Sequence, residues 1–547
     1  MHTIERQLQL AINKLSQWTE LNGFNFSTTK TTSIHFCRRR GLHPDPELYL
    51  KNFRIPVLSE TKFLGLILDS KLTFASHIKH LRKTCGLKLN LLKVLTNTSW
   101  GADTDAMLKI YRCIIRSKLD YGCVVYGSAR KSVLKYLDTI HNSGIRIATG
   151  AFRTSPIKSL NVLYHEPTLA ERRNKLTLRY YFHVKSHHIH SMFSNVTTPS
   201  YERLFSNRPS AIPTFGLRVR KLLSDLNLED FNILPASELR PPWDVISLQT
   251  IDIFNNLTKA QTAADIYLQL FNSHQEQYSN FNSIFTDGSK GLDHVASAVV
   301  TPISTISEKL HSKCSVFTSE CHAVYLALQF ISSQRLKKWI IYSDSKSVIV
   351  ALQNKELNTH SIINNILNLY SNLLLKEYAI IFCWVPGHAG ISGNEAADKV
   401  AKSTNNVTNN PLTYTDIKNA IDNEQYLHWQ NDWENEINNK LHDIKPSIKS
   451  YKSLNISRKQ EVILNRLRIG HSRLTHKHLL LNETAPECSH CREQLTIKHI
   501  LTKCNEFKTQ RQRHFGCFNP TLTLLIGDKP HNNIFNYLRD ICFYKSI

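Results

Sequence analysis

From Asn280 the chain changes rhythm, and that change most restricts what it can fold into. Five short apolar runs read as strands: "FNSIFTDGSK", "HVASAVVTP", "KLHSKCSVFT", "KWIIYSDS" and "YAIIFCWVPG". The stretches "SECHAVYLALQFISSQ", "KSVIVALQN" and "GNEAADKVAKST" carry helical spacing instead. Three consecutive strands followed by alternating helix and strand specify an α/β layer fold with a mixed five-stranded sheet.

The rest of the 547-residue chain is patterned differently, and it is too long for one core. Up to about Arg240 helical spacing dominates, as in "RQLQLAINKLSQWTELNG" and "AMLKIYRCIIRSKLDYGCVVYG", while "KFLGLILD" suits a single strand. Adjacent prolines in "ELRPPWDVISLQT" disfavour helix and mark a linker. The polar "STNNVTNN" reads as a second linker. A final region from Pro411 is again helical and ends in a cysteine cluster. The expected architecture is multidomain α+β, with segments 1–90, 91–240, a linker 241–279, the α/β domain 280–404 and a tail 411–547.

The balance of charge narrows the partners. Lys and Arg number 68 against 44 Asp and Glu, a net charge of +24, which favours a polyanion such as nucleic acid. Basic runs concentrate near the N-terminus, in "CRRR", "HIKHLRKTCGLKLNLLK" and "ARKSVLK". No apolar run approaches the ~20 residues that cross a bilayer, and "MHTIERQLQL" has no secretory pattern. The expectation is an intracellular protein of nucleus or cytoplasm, without a membrane partner. Oligomeric state is silent. The 12 cysteines are mostly scattered singly, which suits reduced thiols.

Four acids in the α/β region invite a joint reading. Asp287 and Asp344 each close an apolar strand, and sites in open α/β sheets gather outside the carboxyl ends of strands. Asp287-Gly288 is also a strong hairpin-turn signal, so the strand is expected to end and turn there. Glu320 falls at the start of a helix, with Ser319 as its cap, and Asp398 at the start of another. Four carboxylates at one edge repel unless a cation neutralises them. Magnesium, a hard oxygen-seeking ion, does so, and two such ions about 4 Å apart support in-line phosphodiester hydrolysis.

"FTDGS", "SECHAVYLAL", "YSDSKSVIVAL" and "WVPGHAGISGNEAAD" resemble, in order and context, the motifs of type 1 ribonuclease H domains, roughly over Asn280 to Ser403. The resemblance implies an RNase H-like fold and cleavage of the RNA strand of RNA–DNA hybrids. It implies Asp287, Glu320, Asp344 and Asp398 as ligands of two Mg2+ ions, with Mn2+ as a substitute. It also implies His388 as the loop histidine that assists proton handling or product release.

The N-terminal region has its own likeness. "LQLAINKLSQWTELNGFNFSTTKTTSIHF" and "KFLGLILDSKLTFASHIKHL" resemble the end of a reverse transcriptase palm in non-LTR retrotransposons, and the basic helices beyond resemble its thumb and connection. No YxDD occurs in the chain, and polymerase activity is expected to be absent. Near the C-terminus, "CSHCREQLTIKHILTKC" spaces Cys488, Cys491, His499 and Cys504 as C-x2-C-x7-H-x4-C, the ligand set of a closed structural Zn2+ site. Cys517 is a candidate competitor for that site. Similar CCHC knuckles end retrotransposon polyproteins. The combined expectation is a retrotransposon-derived, metal-dependent RNA–DNA hybrid endonuclease. The rival is a catalytically silent nucleic-acid-binding remnant of a reverse transcriptase.

Overall fold

The computed structural model describes residues 2–37, 44–97, 100–200, 202–207, 212–237, 243, 246–254, 257, 262–354, 360–407 and 410–547. Most of "CRRR", the core of "ELRPPWDV" and two residues of "STNNVTNN" lie outside them. Contacts divide the chain into two compact bodies, Leu178–Tyr426 and the pair of segments Met1–Thr177 with Leu427–Ile547. The α/β body is therefore wider than the 280–404 segment that its motifs outline.

In that body, strands β1 (Thr250–Ile251), β2 (Asn282–Lys290), β3 (Val295–Val300), β4 (Thr305–Leu310), β5 (Lys338–Ser343) and β6 (Ala379–Trp384) form one sheet, ordered β1-β6-β5-β2-β3-β4. The β2–β3 and β3–β4 pairs are antiparallel and the other pairings are parallel, so the sheet is mixed, with six strands rather than five. The extra strand, β1, and helix α1 (Ala264–Gln277) come from the stretch 241–279 expected as linker. A two-residue strand carries no periodicity, so its sequence cannot announce it.

Alternation along the strands explains the near-continuous apolar runs. Ile284, Trp339, Ile341, Ile380 and Phe382 pack one face against α2 (Val316–Ser333), α3 (Lys346–Gln353) and α4 (Ser361–Leu375). Their neighbours Phe285, Ile340, Tyr342, Ile381 and Cys383 pack the other against α1 and α5 (Ser392–Ser403). A sheet covered on both faces needs apolar residues at every position.

Three local readings change. The strand β2 runs through Asp287-Gly288, pairing Asp287 with Ala298, and the chain reverses only after Lys290. The ladder with β3, which pairs Asp287 and Gly288 themselves, outweighs the dipeptide's turn preference. The third strand is Thr305–Leu310, earlier than "KLHSKCSVFT", because Ser315 caps α2 by accepting from the Thr318 amide and ends the extended stretch. The cap is thus Ser315 and not Ser319.

In the other body, "KFLGLILD" belongs to a hairpin rather than one strand. Glu60–Phe63 pairs antiparallel with Leu66–Asp69, and the turn residues Leu64 and Gly65 both have positive φ, as a two-residue hairpin turn demands. Helices such as Ala75–Leu95 and Lys131–Thr149 pack around Leu92, Tyr111, Ile115 and Ile145, with Trp433 and Ile448 from the tail in the same core. Among the described residues no helix is long and apolar enough to cross a membrane.

Candidate active site

The register of the sheet sets Asp287 beside Asp344. Thr286 pairs with Ser343 across the parallel β2–β5 ladder, so Asp287 and Asp344 are the next residues along these neighbouring strands. Phe285 and Asp287 share the face that α5 covers. Glu320 arrives from α2, on the opposite layer. It reaches the aspartates because Gly288 has no side chain: a Cβ there would lie 2.4 Å from the Glu320 amide nitrogen. Ser297 Oγ also donates to the Ser319 carbonyl (2.7 Å), fixing this turn of α2 against β3.

Asp287, Glu320 and Asp344 bring a carboxylate oxygen each to within 4.8 Å of one another. Asp287 and Glu320 are buried and Asp344 partly so. Burial, with the neighbouring Asp344 and Asp398, pushes Asp287 up to about 7. Burial, with Asp287 and Asp344, pushes Glu320 up to about 9, against a hydrogen bond from the Gly288 backbone. Asp344 is raised by burial too, while Asn394 and His388 oppose the rise. A buried acid cluster of this kind is poised to take up a compensating cation. The Oε2 of Glu320 is buried without a hydrogen-bond partner, and a divalent ion fits that vacancy of partners.

Asp398 stands differently. It sits in the middle of α5 rather than at its start, outside the three-acid group, and its Oδ1 accepts an ion pair from Lys402 at 2.7 Å. Its charge still reaches Asp287, Glu320 and Asp344. His388 is exposed on the loop between β6 and α5, in left-handed backbone (φ 55°), beside Asp344 electrostatically.

Side chains that the motifs did not single out frame the site. Asn394 Nδ2 lies 3.4 Å from Asp344 Oδ2, one helical turn before Asp398 on the same face of α5. That i, i+4 spacing was a readable signal. A Cβ at Gly387 would meet Asp344 Oδ2 at 2.7 Å, so the loop backbone closes directly on the carboxylate. Trp384 Nε1 donates to the Asp344 carbonyl (3.0 Å) and holds the end of β5.

Residues 279–406 match the RNase H family. They form an RNase H domain. The chain is also homologous to RNA-directed DNA polymerases of non-LTR retrotransposons. It is 25% identical over 32% of its length to the "Probable RNA-directed DNA polymerase from transposon X-element" of Drosophila melanogaster. It is 28% identical over 32% of its length to the "RNA-directed DNA polymerase from mobile element jockey" of the same species. The matched part spans 19% of each of these relatives. An RNase H domain implies nuclease-type chemistry and nucleic-acid binding.

In the C-terminal segment, the second predicted cluster also assembles. Cys488, Cys491, His499 and Cys504 each offer a ligand atom within 4.8 Å of the others. Cys488 Sγ and Cys491 Sγ lie 3.7 Å and 3.8 Å from Cys504 Sγ. Tetrahedral thiolates with Zn–S bonds of about 2.3 Å stand about 3.8 Å apart, so the spacing fits. His499 Nδ1 meets Glu493 at 3.0 Å, leaving Nε2 buried without a partner and available as a ligand. Burial raises the Cys488 thiol, but the Cys491 backbone and the His499 ring outweigh it and bring it down to about 6. Burial and the other two thiols push Cys504 the opposite way. Cys517 is not in the group.

Proposed function

We propose that the RNase H domain hydrolyses the RNA strand of RNA–DNA hybrids, with Mg2+ held by Asp287, Glu320, Asp344 and Asp398. One observation carries the reading: three carboxylates from β2, α2 and the end of β5 converge within 4.8 Å although burial opposes their charge. Two Mg2+ ions, or Mn2+ in their place, supply charge neutralisation and an activated water at such a site.

The chain's own residues have distinct tasks in this reading. Asp287 is central, since its charge acts on Glu320 and it feels Asp344 and Asp398 in turn. Asn394 orients Asp344, and Lys402 holds Asp398. His388, exposed beside Asp344, takes or delivers a proton or helps product leave. The chain's net charge of +24 supplies attraction for the phosphate backbone that the acidic site cannot. Cys488, Cys491, His499 and Cys504 hold one structural Zn2+.

The test uses the full chain and a hybrid oligonucleotide labelled on its RNA strand. Cleavage with Mg2+, none with EDTA and none by Asp287→Asn is the expected result. Binding of the hybrid without cleavage would establish the silent, nucleic-acid-binding alternative instead.

A further inference from the structure

Asp416 lies ten residues past the matched RNase H segment, yet its side chain is wholly buried. Its Oδ1 accepts from the Ser315 backbone amide at 2.9 Å. Its Oδ2 accepts from the Thr318 hydroxyl at 2.8 Å and from the Thr413 hydroxyl at 2.7 Å. Ser315 is the N-cap of α2 and Thr318 its third residue, two positions before Glu320. One carboxyl group therefore grips the first turn of the helix that carries a site acid.

The element presenting Asp416 is itself anchored. Leu412 exchanges backbone hydrogen bonds with the 232–234 stretch, Leu234 donating at 2.8 Å and Leu412 donating to Asn232 at 2.9 Å. Beyond Asp416, Ile417, Ala420 and Ile421 pack in one apolar cluster with Val295 of β3, Leu310 of β4 and Cys314. Asp416 itself stands in the first turn of the helix Tyr414–Glu434.

We propose that Asp416 is a positioning residue of the nuclease site: by holding the start of α2 it fixes Glu320 against Asp287 and Asp344. Residues 411–421 are then an integral part of the nuclease. This rests on the metal-binding reading of the three acids. A further tie, Ser297 to the Ser319 carbonyl, holds the turn next to Glu320, whereas Asp416 holds the helix start at Ser315 and Thr318.

Two variants of the full chain test the assignment, Asp416→Ala and the milder Thr318→Val, which removes one of the three partners. Three readouts are taken: Mn2+ binding by calorimetry, amide exchange of residues 315–322, and hybrid cleavage as a function of Mg2+. Expected are weaker Mn2+ binding by about three- to tenfold, faster exchange confined to the start of α2, and a fall in kcat with KM for the hybrid unchanged. Wild-type exchange and metal binding in Thr318→Val, or in a folded Asp416→Ala, would overturn it. If the wild-type chain binds Mn2+ but cleaves nothing, the nuclease reading fails while the exchange and binding arms still decide the role of Asp416.

Discussion

Gly288 and Glu320 share space across two layers of the fold. A Cβ on residue 288 would stand 2.4 Å from the Glu320 amide nitrogen and 2.7 Å from the Ser319 carbonyl carbon, both backbone atoms that cannot swing aside. Gly288→Ala must therefore push α2 off β2. The expected cost is about 1–3 kcal/mol of stability, together with loss of hybrid cleavage, because Glu320 moves with the helix. Denaturant midpoints and the cleavage assay check this together. An alanine variant matching wild type in both would contradict the close approach.

The acids make the metal-free protein sensitive to alkali. Asp287 at about 7 and Glu320 at about 9 both lie above their ordinary values, 3.8 and 4.5. Through that window the folded state keeps protons that the unfolded chain has released. The contribution to stability is full below the unfolded values and is lost as pH rises through 7 toward 9. With no Mg2+ or Mn2+ added and no chelator present, Tm should fall between pH 5.5 and 8.5. Asp287→Asn should flatten that fall and raise Tm at pH 8.5 by on the order of 2–4 °C. A Tm difference between variant and wild type that does not change with pH would refute the linkage.

Lys402 is the resident cation of the site, 2.7 Å from Asp398 Oδ1 and mostly exposed. Its hydrogen bond to Asp398 strengthens its hold on its proton. Removing it as Lys402→Ala leaves the acids less neutralised. Divalent binding should tighten by up to about fivefold, the size of an exposed ion pair, and calorimetry with Mn2+ reads it. Weaker binding would mean that Lys402 supports the site rather than competing with the metal.

The purified chain should carry one zinc ion, measured by elemental analysis. Cys491→Ser should lose it, and Cys517→Ser, outside the cluster, should keep it. Because Cys488 and Cys504 belong to the same buried core as Ile500, Leu501 and Tyr537, chelation should also destabilise that core, seen as a lower Tm. Zinc retained in Cys491→Ser would displace that residue from the ligand set.

Much of the α/β region was legible because its signals are local. Apolar runs of strand length around Ile340 and Ile381, and helical spacing around Val324, each reflect an element's own burial. The C-x2-C-x7-H-x4-C spacing is equally local, and those four residues do meet. Partners remote in sequence were illegible. β1 is too short to show a period, α4 was not foreseen, and the Asp287-Gly288 turn signal lost to the ladder with β3, a strand that follows it in the chain.

The sequence by itself determined that apolar strands end near acids, that a mixed sheet forms, and that three thiols and an imidazole stand at ligand spacing. Only the tertiary structure decided that Asp287 lies inside a strand and that Gly288 makes room for Glu320. It alone revealed Asp416, whose partners Ser315 and Thr318 lie 101 and 98 residues away. The reason is physical: periodicity records which face of an element is buried, whereas register, close approach and buried hydrogen bonds depend on what another part of the chain brings to that face.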